Sequence, residues 1–162
     1  MSRMRVGHGF DVHRLVQGRP LVLAGVQIPH TRGLEGHSDA DVLAHAVGDA
    51  LLGALGEGDL GTHFPSSDPA WAGASGATLL APILERVARG GWRIGNVDTT
   101  LVAQEPRLSP HAEKLRLGLA GLLRVEVPAV NLKLKSTDHL GAIGRGEGIA
   151  AWAVVLLEGD RA

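Results

Sequence analysis

Ile149-Ala-Ala-Trp-Ala-Val-Val-Leu-Leu157 is the stretch that decides the fold, because it is uninterrupted apolar sequence with no polar face. It is far too short to cross a bilayer, and we predict a strand that needs apolar cover on both of its faces. Helical spacing of apolar residues predicts three helices, at 42–55, 78–89 and 110–123. These helices can cover one face of a sheet, so we expect another subunit to cover the other face.

The remaining strands are predicted from alternating and β-branched sequence at 4–13, 97–103 and 130–136, with a short hairpin at 21–29. Residues 58–75 are rich in Gly, Ser, Pro and Asp and are predicted to form a long loop. No internal repeat or domain boundary interrupts the pattern. The sequence therefore predicts one α+β domain over residues 1–162, with a mostly four-stranded mixed β-sheet covered by helices on one face.

The composition excludes several classes of function. The 162 residues include no cysteine, so disulfides, thiolate zinc sites and cysteine nucleophiles are excluded. With 16 basic and 17 acidic residues, nothing indicates a nucleic-acid partner or an anionic membrane surface. The first residues lead directly into patterned sequence without a signal-peptide hydrophobic region, so we expect a cytoplasmic protein.

Two short segments together predict a metal site. Asp11 and His13 are two residues apart in a predicted strand, so both point to the same face. His45 follows Asp41 by four residues on the predicted helix, which we expect Ser38 to cap. Two histidines and one carboxylate suit zinc and leave its fourth position for water or substrate, as in catalytic sites. The alternative is that the histidines are structural and the nearby aspartates are helix caps.

Other segments suit the binding of phosphate. Ser66-Ser67-Asp68, Ser136-Thr137-Asp138 and Gly144-Arg145-Gly146-Glu147-Gly148 offer hydroxyl groups, backbone N–H groups and one arginine. Such clusters also form plain turns, and Arg145 could instead pair with Glu147. No Walker A motif or dinucleotide fingerprint is present. The residues alone thus predict a zinc enzyme that acts on a small phosphorylated molecule.

Four motifs in order extend this interpretation. Taken together, they closely resemble the 2-C-methyl-D-erythritol 2,4-cyclodiphosphate synthase family of non-mevalonate isoprenoid biosynthesis, and the resemblance runs from about residue 4 to 157. The motifs are Gly7-His8-Gly9-Phe10-Asp11-Val12-His13, His37-Ser38-Asp39-x-Asp41 with His45, Gly58-Asp59-Leu60-Gly61 with Phe64-Pro65, and Gly144-Arg145-Gly146-Glu147-Gly148.

The resemblance implies a homotrimer whose sheets pack together, with active sites between adjacent subunits. It implies a phosphorus–oxygen lyase that converts 4-diphosphocytidyl-2-C-methyl-D-erythritol 2-phosphate into the cyclic diphosphate and releases CMP. The implied cofactors are one Zn²⁺ per subunit and Mg²⁺ or Mn²⁺ with the diphosphate. No membrane or nucleic-acid partner is implied.

Residue roles carry over from the family by position. The implied zinc ligands are Asp11, His13 and His45, the implied ligand of the second ion is Asp138, and the implied catalytic residues are His37 and Ser136. The implied substrate contacts are Asp11, Val12, His13, His37, Ser38, Asp59, Leu60, Gly61, Phe64, Pro65, Ser66, Ser67, Asp68, Ala103, Gln104, Glu105, Pro106, Arg107, Leu108, Ser109, Lys135, Ser136, Thr137, Asp138, Ala142 and Arg145. The resemblance assigns residues 103–109 to the cytidine-binding loop of a neighbouring subunit.

Three residues depart from the family pattern. Ser136 stands where the family usually has Thr, Asp138 where it has Glu, and Ala142 where it often has an aromatic residue. The first two keep their hydroxyl and carboxylate groups, whereas Ala142 changes the wall of an expected cavity on the trimer axis. The sequence leaves two competing functions open: a zinc-dependent phosphohydrolase and a non-catalytic trimeric binding module.

Overall fold

Strand β7 (Gly148–Gly159) is the central strand of a five-stranded sheet in the computed structural model, which describes residues 3–159. The ends of the predicted domain, residues 1–2 and 160–162, lie outside this part. The preceding elements, in chain order, are β1 (Arg3–Gln17), β2 (Leu21–Leu23), β3 (Val26–Ile28), β4 (Arg32–Leu34), α1 (Val42–Leu55), α2 (Leu60–His63), α3 (Gly76–Arg89), β5 (Trp92–Val102), α4 (Ala112–Leu123), β6 (Val130–Lys135) and α5 (Gly141–Gly144).

The strand order of the sheet is β4-β1-β7-β5-β6. Strands β1 and β5 flank β7 and are both antiparallel to it, while β6 runs parallel to β5. Strand β4 adds three residues at the end of β1, and the predicted hairpin at 21–29 forms a separate two-stranded sheet of β2 and β3. The predicted α+β class and mixed sheet are therefore confirmed, with four long strands and one short edge strand.

The two faces of the sheet differ, as the sequence of β7 requires. Ile149, Ala151, Ala153, Val155 and Leu157 are buried beneath the helices. The alternate side chains form a second face that stays open in the isolated chain, which we call the open face. Its exposed large apolar residues are Met4, Val6, Phe10, Val12, Trp152 and Val154. The predicted apolar strand thus has cover on one side and needs it on the other.

Helix α1 lies directly on β1 because two glycines remove the side chains between them. A Cβ atom on Gly7 would lie 1.8 Å from the carbonyl oxygen of Ala50, and one on Gly9 would lie 1.8 Å from that of Ala46. No Cβ atom tolerates such a distance, so glycine is required at both positions. This close approach brings the first turns of α1 next to the centre of β1.

The predicted cap of α1 is wrong. Asp41, rather than Ser38, is the N-cap, and its side chain accepts a hydrogen bond from Ala44 N. Ala40 has a positive φ of 56°, which turns the chain after Ser38, so the cap lies three residues later than predicted while the helix itself spans the predicted residues 42–55. Asp41 is fully buried and also accepts from the backbone N–H groups of Ala24 and Gly25, so it joins the β2–β3 turn to the helix.

The other elements follow the predictions, with shifted boundaries. The segment 58–75, predicted as a loop, contains α2 and a 3₁₀ turn at Pro69–Trp71. Helix α3 begins two residues earlier than predicted, at Gly76, and continues through Pro82. Within residues 3–159, no helix is long and apolar enough to cross a membrane.

Candidate metal centre and phosphate cleft

Three side-chain atoms from β1 and α1 converge on one point. Asp11 Oδ2 lies 2.9 Å from His13 Nε2 and 3.0 Å from His45 Nδ1, and the two nitrogens are 3.2 Å apart. The three residues form a cluster that could hold a metal ion, as the sequence predicted. Their positions follow from period-two alternation in β1 and from the glycine-mediated contact with α1.

The outer atoms of both imidazole rings are held by neighbouring groups. His13 Nδ1 donates to the carbonyl oxygen of Glu35 at 2.7 Å, so Nε2 is the ring nitrogen that could bind a metal ion once its proton is displaced. Ser38 Oγ lies 3.1 Å from His45 Nε2 and accepts from Ala40 N. Metal-bound histidines usually have such partners on the second ring nitrogen, because these fix the tautomer and the orientation of the ring.

The donor set fits zinc. A tetrahedral ion with bonds of about 2.0–2.1 Å places its ligand atoms roughly 3.4 Å apart. The observed separations of 2.9–3.2 Å therefore need to widen by only a few tenths of an ångström. Two nitrogens and one oxygen are within zinc's preferred ligands, and three protein ligands leave one coordination position open.

The electrostatics of the cluster favour a cation. Burial opposes ionisation of Asp11, but hydrogen bonds from His13 and His45 outweigh it and lower the pKa of Asp11 to about 2. Burial also opposes the charged form of His13, yet the adjacent Asp11 carboxylate raises the pKa of His13 above its usual value. The site thus provides a permanent negative charge that stabilises positive charge beside it.

The cluster opens into a cleft of about 420 Å³. Ten of its lining residues were predicted from the sequence: Asp11, His13, His37, Ser38, His45, Asp59, Leu60, Gly61, Phe64 and Ser66. The remaining lining residues, none of which was predicted as a metal ligand or substrate contact, are Asp49, Trp71 and Leu79. Asp49 follows His45 by four residues on α1, which was an available signal, whereas nothing local to Trp71 or Leu79 marked them.

Hydrogen bonds also fix the side chains that line the cleft around the cluster. Asp59 is the N-cap of α2 and accepts from Thr62, which lowers the pKa of Asp59. Asp49 Oδ1 accepts from Leu60 N at 2.8 Å, and burial raises the pKa of Asp49. In the same cleft, His37 Nε2 donates to the carbonyl oxygen of Asp68 at 3.1 Å. The cleft therefore combines carboxylates, an imidazole and a hydroxyl group in fixed positions.

A second hollow of about 350 Å³ lies at the other edge of the sheet, where β5 and β6 end. It is lined by Ala103, Gln104, Pro106, Arg107, Leu108, Ser109, Leu134, Lys135 and Ser136, eight of which belong to the predicted substrate contacts. Ser136 Oγ donates to Asp138 Oδ1 at 3.2 Å, and Gln104 Oε1 accepts from His139 N. Because β6 is three strands away from β1, the hollow lies roughly 14 Å across the sheet from the metal cluster.

Several predicted contact residues line neither cavity. The side chain of Val12 is on the open face, and Glu105 accepts from Arg32 instead of facing the second hollow. Arg145 forms an exposed ion pair with Glu147, at 2.6 Å between Nε and Oε1, as the alternative interpretation had it. The others that line neither cavity are Pro65, Ser67 and Asp68 in the loop after α2, and Thr137, Asp138 and Ala142 after β6.

A mixed sheet with an Asp/His/His cluster open to a polar cleft defines a candidate metalloenzyme. The chain belongs to the YgbB family, whose model matches residues 4–158. The 2-C-methyl-D-erythritol 2,4-cyclodiphosphate synthase of Geotalea uraniireducens (strain Rf4) is 54% identical over 155 residues, which cover 96% of this chain and 99% of that one.

Solved structures show the same fold. The bifunctional IspDF of Campylobacter jejuni is 40% identical and superposes with a TM-score of 0.93 over 98% of this chain, which spans 43% of that longer protein. A 2C-methyl-D-erythritol-2,4-cyclodiphosphate synthase in its CDP-bound form is 38% identical, with a TM-score of 0.87 over 94% of this chain and 99% of that one.

Proposed function

We propose that this protein converts 4-diphosphocytidyl-2-C-methyl-D-erythritol 2-phosphate into 2-C-methyl-D-erythritol 2,4-cyclodiphosphate and CMP. The single observation that carries the proposal is the convergence of Asp11, His13 and His45 at a cleft that also contains His37 and Ser38. Membership of the YgbB family and 54% identity to a synthase of that name support the substrate.

The barrier of this reaction is largely electrostatic, because a phosphate monoester attacks a diphosphate and several negative charges meet. Zinc bound by Asp11, His13 and His45 would supply a positive charge and an open position for a phosphate oxygen. His37 and Ser38 would bind the phosphates, and His37 would stabilise the charge that develops at the transition state. The attacking phosphate is already ionised near neutral pH, so the chain needs no general base.

The remaining task is to fold one substrate into an in-line geometry. Asp59, together with the backbone around Leu60 and Gly61, would hold the methylerythritol hydroxyl groups on the far wall of the cleft. Ser136 would bind a phosphate oxygen, and Asp138 would hold Mg²⁺ or Mn²⁺ together with the diphosphate. Both residues are exposed at the end of β6. Asp138 is one methylene shorter than the family's Glu, so the ion would lie closer to the backbone or bind the carboxylate through a water molecule.

A homotrimer would complete the site. The open face presents an apolar surface that a second copy can bury, and the second hollow is roughly 14 Å from the cluster within one chain. If residues 103–109 of a neighbouring subunit bind the cytidine, the nucleotide end of the substrate reaches the cleft from across the interface. The CDP-bound relative supports nucleotide recognition by this fold.

The experiment that tests the proposal is phosphorus NMR of zinc-loaded protein with magnesium and the diphosphocytidyl-methylerythritol 2-phosphate substrate. We expect signals of the cyclic diphosphate together with equimolar CMP, and none from zinc-depleted protein. Inorganic phosphate instead would identify a zinc-dependent phosphohydrolase that uses the same ligands to activate water. No turnover at all, with zinc bound, would leave a metal-binding module.

A further inference from the structure

The guanidinium of Arg19 joins the turn after β1 to the segment that carries His37 and Ser38. Arg19 Nη1 donates to the carbonyl oxygen of Gly36 at 3.1 Å, and Nη2 donates to that of Ser38 at 2.8 Å. The two acceptors lie on either side of His37. A planar guanidinium with two donors in a fixed fork therefore sets the spacing of the two carbonyl groups and hence the path of the backbone between them.

The backbone carbonyls of residues 35–38 all have donors. Glu35 O accepts from His13 Nδ1 at 2.7 Å, and His37 O accepts from Gly73 N at 2.8 Å. Arg19 supplies the other two. This segment has no helix or strand ladder of its own, so side-chain donors and one loop N–H take the place of secondary structure.

The backbone of Arg19 packs against strand β4. A Cβ atom on Gly33 would lie 2.4 Å from the carbonyl oxygen of Arg19 and 2.3 Å from that of Pro20, so β4 lies directly against this backbone. Within residues 3–159, no carboxylate oxygen lies within 4.0 Å of the Arg19 guanidinium. Arg19 does not line the cleft, and its two donors are occupied by protein carbonyls.

We infer that Arg19 is a positioning residue for the phosphate-binding pair His37 and Ser38, an inference that rests on the proposed function. Its guanidinium fixes the peptide from Gly36 to Ser38, so that the imidazole and hydroxyl groups meet the reacting phosphates in one orientation.

The matched control is Arg116, whose guanidinium also donates to two backbone carbonyl groups. Arg116 Nε donates to Val130 O at 2.8 Å and Nη2 donates to Val127 O at 3.1 Å, between α4 and the start of β6. Both Arg19→Ala and Arg116→Ala remove a guanidinium that bridges two backbone carbonyls. Only the first should affect the geometry of the cleft.

We expect Arg19→Ala to lower kcat by about 10- to 100-fold with KM within twofold of wild type and full zinc content, because small misplacements of catalytic groups carry penalties of this size. Arg19→Lys should be intermediate, since one ammonium group keeps the charge but cannot span both carbonyls. Arg116→Ala should lower the melting temperature and leave kcat within twofold. Millimolar guanidinium ion should restore part of the activity of Arg19→Ala, whereas methylammonium should not.

A kcat within twofold of wild type in Arg19→Ala would overturn the inference. A rise in KM alone would make Arg19 a substrate ligand, and loss of zinc would make it a support of the metal site; either result also overturns it.

Hydrogen exchange measured by mass spectrometry tests the same inference without turnover. Arg19→Ala and Arg19→Lys should speed exchange in peptides that cover residues 36–40 and 73–74, while peptides from α4 should be unaffected. Arg116→Ala should show the reverse pattern. If wild type produced no cyclic diphosphate but the exchange pattern held, the proposed function would fail and the positioning by Arg19 would stand. Unchanged exchange at 36–40 would overturn the positioning itself.

Discussion

Gly9 and Ala46 are in contact through their backbones: a Cβ on Gly9 would lie only 1.8 Å from the carbonyl oxygen of Ala46. This contact joins the middle of β1 to the first half of α1. Asp11 lies two residues beyond Gly9 and His45 precedes Ala46, so the same contact sets the 3.0 Å separation between the carboxylate and the imidazole. The metal cluster thus depends on a position that carries no functional group.

Gly9→Ala should therefore destabilise the fold and disrupt the cluster together. We expect a loss of about 3 kcal/mol or more, because the methyl group must displace backbone rather than a flexible side chain. The control is Gly53→Ala on the exposed side of α1, where the nearest atom to a new Cβ is 3.7 Å away. That variant should gain about 0.5–1 kcal/mol from helix propensity. Urea denaturation measures both; equal effects would contradict this account.

Removing the buried cap of α1 should also be costly. Asp41→Ala leaves the backbone N–H groups of Ala24, Gly25 and Ala44 without their acceptor, and we expect a loss of about 3 kcal/mol. Ser75→Ala is the comparison, since Ser75 caps α3 at an exposed position, where its hydroxyl accepts from one backbone N–H, that of Thr78, and also contacts the Thr78 hydroxyl. Its loss should be about 1 kcal/mol. A smaller effect at Asp41 than at Ser75 would refute the role assigned to Asp41.

Loss of one ligand should abolish stoichiometric zinc binding without unfolding the chain. In His45→Ala only Asp11 and His13 remain, and two protein ligands are too few for a catalytic zinc site. Elemental analysis and phosphorus NMR should show neither zinc nor cyclic product, while the oligomeric state is retained. His111→Ala, a histidine outside the cluster, should keep full zinc content. Wild-type turnover by His45→Ala would show that the ligand assignment is wrong.

The stability of the metal-free protein should depend on pH through the Asp11–His13 pair. The pKa of His13 is raised in the folded state, so its stabilisation is fully present below about pH 6.5 and fades as pH rises through the raised value. The pKa of Asp11 is lowered to about 2, so its stabilisation is present above the unfolded value of 3.8 and is lost as pH falls toward 2.

The melting temperature of chelator-treated protein should therefore exceed that of Asp11→Asn most between about pH 4 and 6.5, with the difference shrinking toward pH 9. A difference that stayed constant over that range would mean that the pair does not couple to folding. Zinc binding displaces the His13 proton, so zinc affinity should fall as the solution is acidified through the same pKa.

The open face should be the contact surface of the proposed homotrimer. Trp152→Glu places a charge among Phe10 and its neighbours, and burying it against another copy without a partner should dissociate the assembly. Leu117→Glu is the matched control, because Leu117 is 50% exposed on α4, away from this face. Light scattering coupled to size exclusion should report monomers for the first variant and trimers for the second. A trimer that survives Trp152→Glu would place the interface elsewhere.

Periodicity carried most of what the sequence predicted correctly. The alternation in β1 and the helical spacing after Val42 placed Asp11, His13 and His45 together, and the apolar pattern of 149–157 indicated a strand that needs cover on both faces. The cap of α1 was missed because the left-handed turn at Ala40 has no signature in its own side chain. Trp71 and Leu79 were missed because they reach the cleft through the folding of 64–79, which no local pattern encodes.

The alternation of side chains in β1 also limits the changes in length that the chain can tolerate. Asp11 and His13 face the helix while Phe10 and Val12 face outward, so ligands and contact residues alternate along the same few residues. Deleting or inserting one residue before Asp11 would exchange the two sets, placing an aromatic ring against α1 and a carboxylate on the outer surface. The segment from Gly7 to His13 can therefore change in length only by two residues at a time. The loops around it can gain or lose single residues without exchanging the two faces.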